Sequence, residues 1–338
     1  MWMTTYICNN MELILNTYGV TLHRDNECFV IVNAEGKQKI PAEGIKNIQI
    51  SHGAQITSDA VMLAIEREIE VVFVDRGGKV YGRVWSPRYG SISTIRRGQL
   101  NFTLSASAVG WIKEVLIHKI DNQQALLLAL ALPDDTFVQN RLQTALRRLD
   151  DYRTKIAGVN GEVVSDVAAT LRGWEGVASK IYFEQMNLSL PESYRFATRS
   201  KHPATDVVNA MLNYGYGILY GKVEGALIKA GIDPYIGVLH RDDYNRPVLV
   251  YDVIELYRVW VDYVVFNIVQ QNAVTDEYYT MREDGGCWLD PLGRRVVIQS
   301  LADYMEEVVE HGGLARSRAT QLTLFCQKLA TTFKQHEK

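Results

Sequence analysis

The sequence predicts an α+β fold in which a strand-rich N-terminal domain precedes a larger all-α C-terminal domain. Two observations carry this prediction. Roughly the first hundred residues contain short runs rich in Ile, Val, Phe and Leu, separated by Gly and Asn turn residues, which is typical of β-strands. The later residues instead show apolar stripes with a period of about 3.6, which is typical of helices that bury one face.

In the N-terminal part, the predicted strands are ELILNTYG, VTLHRD, CFVIVNAEG, IKNIQISHG and IEVVFVDRGG. One helix interrupts them, SDAVMLAIERE, with Ser58 as its predicted N-cap. The segment DRGGKVYGRVW predicts a hairpin whose turn contains Gly77 and Gly78. Met11 opens the first strand, so residues 1–10 are predicted to be an N-terminal extension.

The segment SPRYGSISTIRRGQ, residues 86–99, is rich in Pro, Gly and Ser and predicts a linker. The predicted domains are therefore residues 11–98 and 99–338. Pro133, Gly158 and Gly231 stand where helices of the second domain should end. The predicted helices are WIKEVLIHKIDNQQALLLALAL, NRLQTALRRLDDYRTKIAG, VVSDVAATLRGWEGVASKIYFEQM, DVVNAMLNYGYGILYGKVEGALIKAG, LVYDVIELYRVWVDYVVFNIV and RATQLTLFCQKLATTFK.

Bulk composition excludes several classes of protein. With 338 residues, 47% of them hydrophobic and 22% charged, the chain is typical of a globular protein and not of a disordered one. No stretch approaches the roughly 20 apolar residues of a membrane helix, and the N-terminus has no signal-peptide pattern. The four cysteines form no CxxC pair, which suits a reducing cytoplasm. Because the net charge is −3, DNA binding would require local basic patches.

Acidic residues occur in apolar surroundings in the predicted helix over residues 248–264. Asp252, Glu255, Arg258 and Asp262 form a narrow polar strip between two apolar stripes. Such acids face a crevice, a partner or a fixed countercharge. Alternatively, Glu255 and Arg258 form an ordinary i,i+3 pair on a solvated edge.

A second acid, Glu175, is flanked by Gly173 and Gly176 in a predicted helix. Each glycine costs roughly 1 kcal/mol relative to alanine there, which favours close approach of another backbone or of a ligand. The alternative is a surface glutamate with incidental glycines. His240 taken alone is more typical of a core or loop histidine, but two carboxylates and an imidazole suit Mn²⁺ or, less ideally, Mg²⁺. Spacing alone does not bring the three residues together.

The chain from Met11 onward resembles the CRISPR-associated endonuclease/integrase family, the metal-dependent catalytic subunit of CRISPR spacer acquisition. The resemblance rests on motifs that occur in the family's order: MELILNTYGVTL, VVFVDRGGKVYGRV, RRGQ, KIDNQ, LRGWEGVASKIYF, TDVVNAMLNYGYGILYGKV and GIDPYIGVLHRDDYNRPVLVYDVIELYR. It implies that Glu175, His240 and Glu255 are catalytic metal ligands for Mg²⁺ or Mn²⁺, with Asp252 as a supporting acid.

The resemblance also implies a reaction, in which the 3′-hydroxyl of a captured DNA fragment attacks a phosphodiester at the leader–repeat boundary of a CRISPR array. No nucleotide cofactor is expected, and the sequence has no GxxxxGK[ST] loop. Local basic and aromatic side chains should bind the DNA. The candidates are Arg172, Lys180, Tyr182, Arg199, Lys201, Tyr214, Arg241 and Arg246.

By the same resemblance we expect a cytoplasmic homodimer formed through the strand-rich domain. A small ferredoxin-like CRISPR partner is expected to join two such dimers in a heterohexamer. Two other functions remain open from the sequence: a stand-alone nuclease that acts on branched or single-stranded DNA, and a non-catalytic DNA-binding scaffold.

Overall fold

A computed structural model describes residues 11–74, 80–84, 92–130, 136–201, 203–241, 246–271, 274–311 and 313–337. The chain divides into two compact units, Met1–Gly90 and Ser91–Lys338. The first is rich in strands and the second is mainly helical, so the predicted fold class is confirmed. The division falls at Gly90 rather than at the predicted residue 98.

The first unit contains two four-stranded sheets. Its elements are β1 (Met11–Leu15), β2 (Thr21–Asp25), β3 (Cys28–Asn33), β4 (Gly36–Pro41), β5 (Ile45–Ile50), β6 (Gln55–Ile56), α1 (Ser58–Glu66), β7 (Glu70–Val74) and β8 (Val80–Arg83). One sheet has the order β1-β5-β7-β8, with parallel pairs except for the antiparallel pair β7–β8. The other has the order β4-β3-β2-β6, in which only β2 and β6 are parallel.

Each predicted strand of this unit is present, and β7 and β8 form the predicted hairpin. Gly77 and Gly78, like residues 1–10, lie outside the described residues. The N-cap of α1 is Thr57, not Ser58: the Thr57 hydroxyl accepts a hydrogen bond from the Ala60 amide at 3.3 Å. The sequence did not predict β4 because this edge strand is polar and mostly exposed, and so shows no apolar alternation.

The second unit packs helices around one apolar core. The helices are α2 (Ile92–Thr103), α3 (Ala106–Ala129), α4 (Thr136–Gly158), α5 (Val164–Leu188), α6 (Val207–Lys229), α7 (Val248–Ile254), α8 (Arg258–Gln270), α9 (Pro291–Glu306) and α10 (Arg318–Gln335). Two short antiparallel hairpins were not predicted, β9 (Tyr279–Met281) with β10 (Cys287–Leu289) and β11 (Val308–His311) with β12 (Leu314–Ser317). This unit is therefore mainly helical rather than strictly all-α.

The positions of the helix ends agree in part with the sequence. Gly158 is the last residue of α4, and Gly231 follows α6 with a φ of +80°, a conformation that favours glycine. Pro133 lies outside the described residues. None of the helices within the described ranges is long and apolar enough to cross a membrane.

The predicted linker over residues 86–99 is wrong in its second half, because α2 begins at Ile92. This helix packs against α10 so closely that a Cβ on Gly98 would lie 1.9 Å from the Phe333 carbonyl oxygen. The Gln99 amide nitrogen donates to the carbonyl oxygens of Asp233 and Ile236 at 2.8 and 2.9 Å. The RRGQ motif therefore fixes the segment that leads to His240.

The predicted continuous helix over residues 248–264 is also wrong, because the chain turns between α7 and α8. Glu255 is the C-cap of α7, and Arg258 begins α8. The Asn122 side-chain amide donates to the Leu256 carbonyl oxygen at 3.0 Å, so α3 holds this turn in place. The apolar periodicity continues across the turn, which is why the sequence pattern did not reveal it.

Candidate metal and DNA site

A cavity of about 840 Å³ opens in the second unit. Glu175 on α5, His240 and Glu255 all line it, together with Asp252 from α7. The tertiary structure thus brings together the three residues that spacing alone left apart. A tight turn places the histidine, since a Cβ on Gly237 would lie 2.1 Å from the His240 carbonyl oxygen.

Asp252 is buried and holds His240. One carboxylate oxygen, Oδ1, lies 2.7 Å from His240 Nδ1. The other accepts hydrogen bonds from the amides of Val238 and Leu239 at 2.7 and 3.1 Å. With Nδ1 donating to Asp252, the neutral imidazole keeps its lone pair on Nε2, the nitrogen that would remain for a ligand. The predicted role of Asp252 as a supporting acid is consistent with these contacts.

Between the two glutamates lies Lys119, which the sequence analysis did not select. Its ammonium donates a hydrogen bond to Glu175 Oε1 and lies 2.5 Å from Glu255 Oε2. Ser179 also donates to Glu175 Oε1, at 2.8 Å, and Arg258 Nη1 lies 2.8 Å from Glu255 Oε1. Both carboxylates are therefore neutralised by cations of the same chain.

These contacts change the protonation of the site. Burial raises the pKa of Glu175, but the charge and hydrogen bond of Lys119, with Ser179 and Arg258, outweigh it and lower the pKa to about 2. The hydrogen bond to Asp252 raises the pKa of His240 against the opposing effect of burial. Glu175 is consequently a carboxylate at neutral pH, while His240 gains a proton more readily than a solvated histidine.

Whether these residues fit a divalent ion can be judged from their donor atoms. In the part of the chain that the structure describes, no three His, Cys, Asp or Glu side chains lie close enough to share one ion as they stand. Lys119 separates the two carboxylates. Glu255 Oε2 is buried and lies 2.5 Å from the Lys119 ammonium. Two carboxylates and an imidazole held through Nδ1 fit Mg²⁺ or Mn²⁺ chemically.

The glycines beside Glu175 do not pack against the chain. A Cβ on Gly173 or Gly176 would meet no described atom within 4 Å, so the expected approach of another backbone of the same chain is wrong. Gly176 lines the cavity, and both glycines are exposed. Two explanations remain, the approach of a ligand and incidental glycines on an exposed helix face, and alanine substitution distinguishes them.

Several of the predicted DNA contacts surround the cavity. Arg172, Lys180, Lys201 and Arg246 line it and are exposed. Partial burial, together with the neighbouring charges of Arg258 and Arg199, lowers the pKa of Lys201 against the opposing charges of Glu255 and Glu175. These positions suit contacts with backbone phosphates.

The other predicted contacts are engaged inside the protein. Tyr182 is fully buried, so its prediction as a DNA contact is wrong; its hydroxyl donates to Asp262 at 2.8 Å. Arg199 lines the cavity, but its guanidinium donates to the side chains of Asn209 and Asn213 at 2.8 and 2.7 Å.

Arg241 and Tyr214 likewise lie among other groups of the chain. The Arg241 guanidinium donates to the carbonyl oxygens of Val238 and Thr103. Tyr214 is half-buried and packs against the helical core. Neither residue lines the cavity.

The Glu255–Arg258 pair expected from the sequence is present, although Glu255 is buried rather than on a solvated edge. The sequence did not indicate that Lys119 pairs with the acids, nor that Asp262 is buried. Lys119 is only 3% exposed, and its signal was the KIDNQ motif, whose lysine falls between apolar helical positions. Asp262 was read as part of a polar strip, but it is buried and accepts hydrogen bonds from the hydroxyls of Tyr182 and Tyr216. Buried acids of this kind cannot be distinguished from exposed ones by spacing.

Comparisons with known proteins agree on one family. The model of the family described as CRISPR associated protein Cas1 matches residues 13–303. The chain is 34% identical over 315 residues to CRISPR-associated endonuclease Cas1 1 of Archaeoglobus fulgidus, and the match covers 90% of each protein.

Solved structures show the same fold. A casposase bound to integration product matches with a TM-score of 0.79 and 21% identity, covering 96% of this chain and 90% of that one. A chain of a Cas6-RT-Cas1–Cas2 complex matches with a TM-score of 0.77 and 23% identity, covering 96% of this chain and 35% of the other.

Proposed function

The chain belongs to the CRISPR-associated protein Cas1 family, and from this premise we propose that it is a DNA endonuclease and integrase that inserts captured DNA fragments into a CRISPR array. The observation that carries the proposal is the cavity that Glu175, His240 and Glu255 line together with exposed basic side chains. The name of the Archaeoglobus relative, an endonuclease, supports the nuclease activity.

Glu175, His240 and Glu255 would hold a Mg²⁺ or Mn²⁺ ion, which when bound neutralises charge that develops on the phosphate. Asp252 fixes the orientation of the imidazole through Nδ1 and leaves Nε2 as the nitrogen that would bind the ion. Ser179 restrains one oxygen of Glu175, and Arg258 restrains one of Glu255. The protein thus supplies an ordered set of donors.

The reaction is a transesterification. The 3′-oxygen of the captured fragment forms a bond to phosphorus as the bond from phosphorus to the 3′-oxygen of the leader breaks. The attacking hydroxyl loses its proton and the leaving oxygen gains one, so one phosphodiester replaces another and no nucleotide cofactor is consumed. If water attacks in place of the hydroxyl, the same site hydrolyses DNA.

The exposed cations around the cavity would bind DNA through its phosphates, so the affinity should fall with salt. Arg172 and Lys180 lie on α5 on either side of Gly176, one turn before it and one turn after it. This spacing allows a phosphate backbone to lie along α5 next to Glu175.

We further propose that the protein acts as a cytoplasmic homodimer joined through the strand-rich unit. Tyr18 and Tyr81 of that unit are 88% and 75% exposed, and they are the candidates for contacts with a second copy. The presence of Cas2 in the named Cas6-RT-Cas1–Cas2 complex supports a Cas partner protein. That this partner is small and ferredoxin-like and joins two dimers in a heterohexamer is the part of the proposal that rests on the family resemblance alone.

A strand-transfer assay tests the function. The protein is incubated with labelled DNA fragments and a supercoiled CRISPR plasmid in Mn²⁺ or Mg²⁺, with and without the small partner. We expect metal-dependent strand transfer that Glu175→Ala and His240→Ala abolish. Glu114→Ala and His118→Ala are matched controls at exposed positions of α3 and should retain activity.

Three outcomes contradict parts of the proposal. Strand transfer that survives both site substitutions would exclude the metal-ligand assignment. Nicking of branched DNA without strand transfer, even with the partner, would indicate a stand-alone nuclease. DNA binding without nicking or transfer would indicate a non-catalytic scaffold.

A further inference from the structure

Lys119 occupies an unusual position for a lysine. It lies on α3 with only 3% of its surface exposed, whereas lysine is rarely buried unless it is paired. Its ammonium contacts Glu175 and Glu255 at once, one from α5 and one from the end of α7. It therefore lies between the two carboxylates that would hold the ion.

The charges of this cluster are balanced without any ion. Glu175 and Glu255 carry two negative charges, and Lys119 and Arg258 carry two positive ones. A divalent ion added between these carboxylates would meet an ammonium at contact distance, and two cations so close repel each other strongly in a poorly solvated site. One of the two protein cations must therefore leave its place.

Lys119 is the cation that can move. Arg258 is anchored at the start of α8, and its guanidinium lies 5.5 Å from the centre of the Tyr216 ring. Lysine instead carries a compact ammonium on a flexible stem of four carbons. Rotation of that stem frees one oxygen on each glutamate.

We propose that Lys119 is an internal counter-cation that competes with the divalent ion for Glu175 and Glu255 and is displaced when the ion binds. The inference rests on the proposed metal-dependent function and adds a residue to it. Lys119 keeps the two carboxylates paired in the absence of the ion, and it sets the affinity at which the ion enters.

Metal binding tests this role without reference to activity. The affinity for Mn²⁺ is measured by electron paramagnetic resonance at constant pH and salt, without DNA. We expect Lys119→Met to bind Mn²⁺ at least about tenfold more tightly than the wild type, because the competing charge is gone. Lys119→Arg keeps that charge and should bind no more tightly than the wild type.

Lys113→Met is the matched control. Lys113 lies on the same helix, but its ammonium donates to the Val159 carbonyl oxygen at 2.5 Å, away from the site. Its substitution should leave the Mn²⁺ affinity unchanged. Equal or weaker Mn²⁺ binding by Lys119→Met would overturn the proposal, because Lys119 would then support the ligands rather than compete with the ion.

A second measurement uses the wild-type chain, in case Lys119→Met does not fold. Lysine is labelled with ¹³C at Cε, and the Lys119 resonance, assigned with Lys119→Arg, is followed during titration with Mg²⁺. Displacement predicts a shift that saturates with Mg²⁺ binding measured by calorimetry. Binding without a shift would overturn the role of Lys119 alone, whereas absence of Mn²⁺ and Mg²⁺ binding in every variant would exclude the metal site itself.

Discussion

The Asp252 carboxylate contacts both the side chain and the backbone amide of His240. One carboxylate oxygen lies 2.7 Å from the imidazole Nδ1 and 3.3 Å from the His240 amide nitrogen, while the other binds the two preceding amides. A single buried carboxylate therefore sets the ring orientation and the backbone turn that carries it.

We expect Asp252→Asn to weaken Mn²⁺ binding by about 10- to 100-fold, the usual effect of removing a carboxylate that orients a histidine ligand. The neutral amide cannot fix the imidazole tautomer in the same way. Calorimetric titration with Mn²⁺ checks this. Unchanged affinity in a folded Asp252→Asn protein would show that His240 needs no such support, and Asp303→Asn on α9 is a control that should bind like the wild type.

Gly176 lies at an exposed position of α5, and its substitution should raise the stability of the protein while weakening DNA binding. Gly176→Ala should stabilise the protein by about 1 kcal/mol, because the new methyl group meets no described atom within 4 Å and helix propensity improves. It should weaken DNA binding about tenfold if a ligand backbone lies against this position. Thermal unfolding and fluorescence anisotropy with labelled DNA measure the two effects.

Gly110→Ala on α3 is the matched control, because a Cβ there also meets none of the described atoms within 4 Å and Gly110 does not line the cavity. It should stabilise the protein and leave DNA binding unchanged. If both alanine variants bind DNA as the wild type does, no ligand approaches Gly176.

Arg172 should contribute one phosphate contact. The slope of log affinity against log salt concentration should become shallower by about 1 in Arg172→Gln, with little effect on sequence preference. The measurement is DNA binding over a series of NaCl concentrations. Lys328→Gln, at an exposed position of α10, should keep the wild-type slope, and an unchanged slope in Arg172→Gln would place this side chain away from the phosphates.

Asp262 should make the protein more stable at mildly acidic pH. Burial raises its pKa from 3.8 to about 6, although hydrogen bonds from Tyr216 and Tyr182 oppose the shift. The folded protein therefore binds a proton more tightly than the unfolded chain. The resulting stabilisation is fully present below pH 3.8 and is lost as the pH rises through about 6.

The effect is at most about 3 kcal/mol. Urea unfolding between pH 4.5 and 7.5 should show the wild type losing stability relative to Asp262→Asn as the pH rises. Parallel curves for the two proteins would contradict the shift. Glu175 has the opposite effect, because its pKa is lowered from 4.5 to about 2 in the folded protein. The stability that it contributes is lost only as the pH falls below about 4.5, which lies outside the pH range of this experiment.

The contact between α2 and α10 predicts a purely structural effect. Gly98→Ala should destabilise the protein by about 2 kcal/mol or more, because the added Cβ would lie 1.9 Å from the Phe333 carbonyl oxygen and the two helices must separate. Chemical denaturation measures the loss. Gly110→Ala serves again as the control, and a Gly98→Ala protein as stable as that control would show that α2 does not approach α10 so closely.

Apolar periodicity predicted most of the helices and strands, because the spacing of apolar residues along the chain indicates which side chains are buried. It did not predict β6, α2, α9 or the two short hairpins of the second unit, and it failed for β4 and for the turn after Glu255. The edge strand has no buried side to give it an alternation, and the turn keeps both sides apolar. Neither feature depends on the residues within it alone: the Leu256 carbonyl oxygen is held by Asn122, far away in the chain.

The sequence by itself determined the fold class, the family and the residue types Glu175, His240 and Glu255. Only the tertiary structure decided that Lys119 lies between the two glutamates, and that Tyr182 faces Asp262 rather than DNA. The physical reason is that a periodic pattern states whether a side chain is buried, whereas the packing of separate helices determines which buried charge it meets.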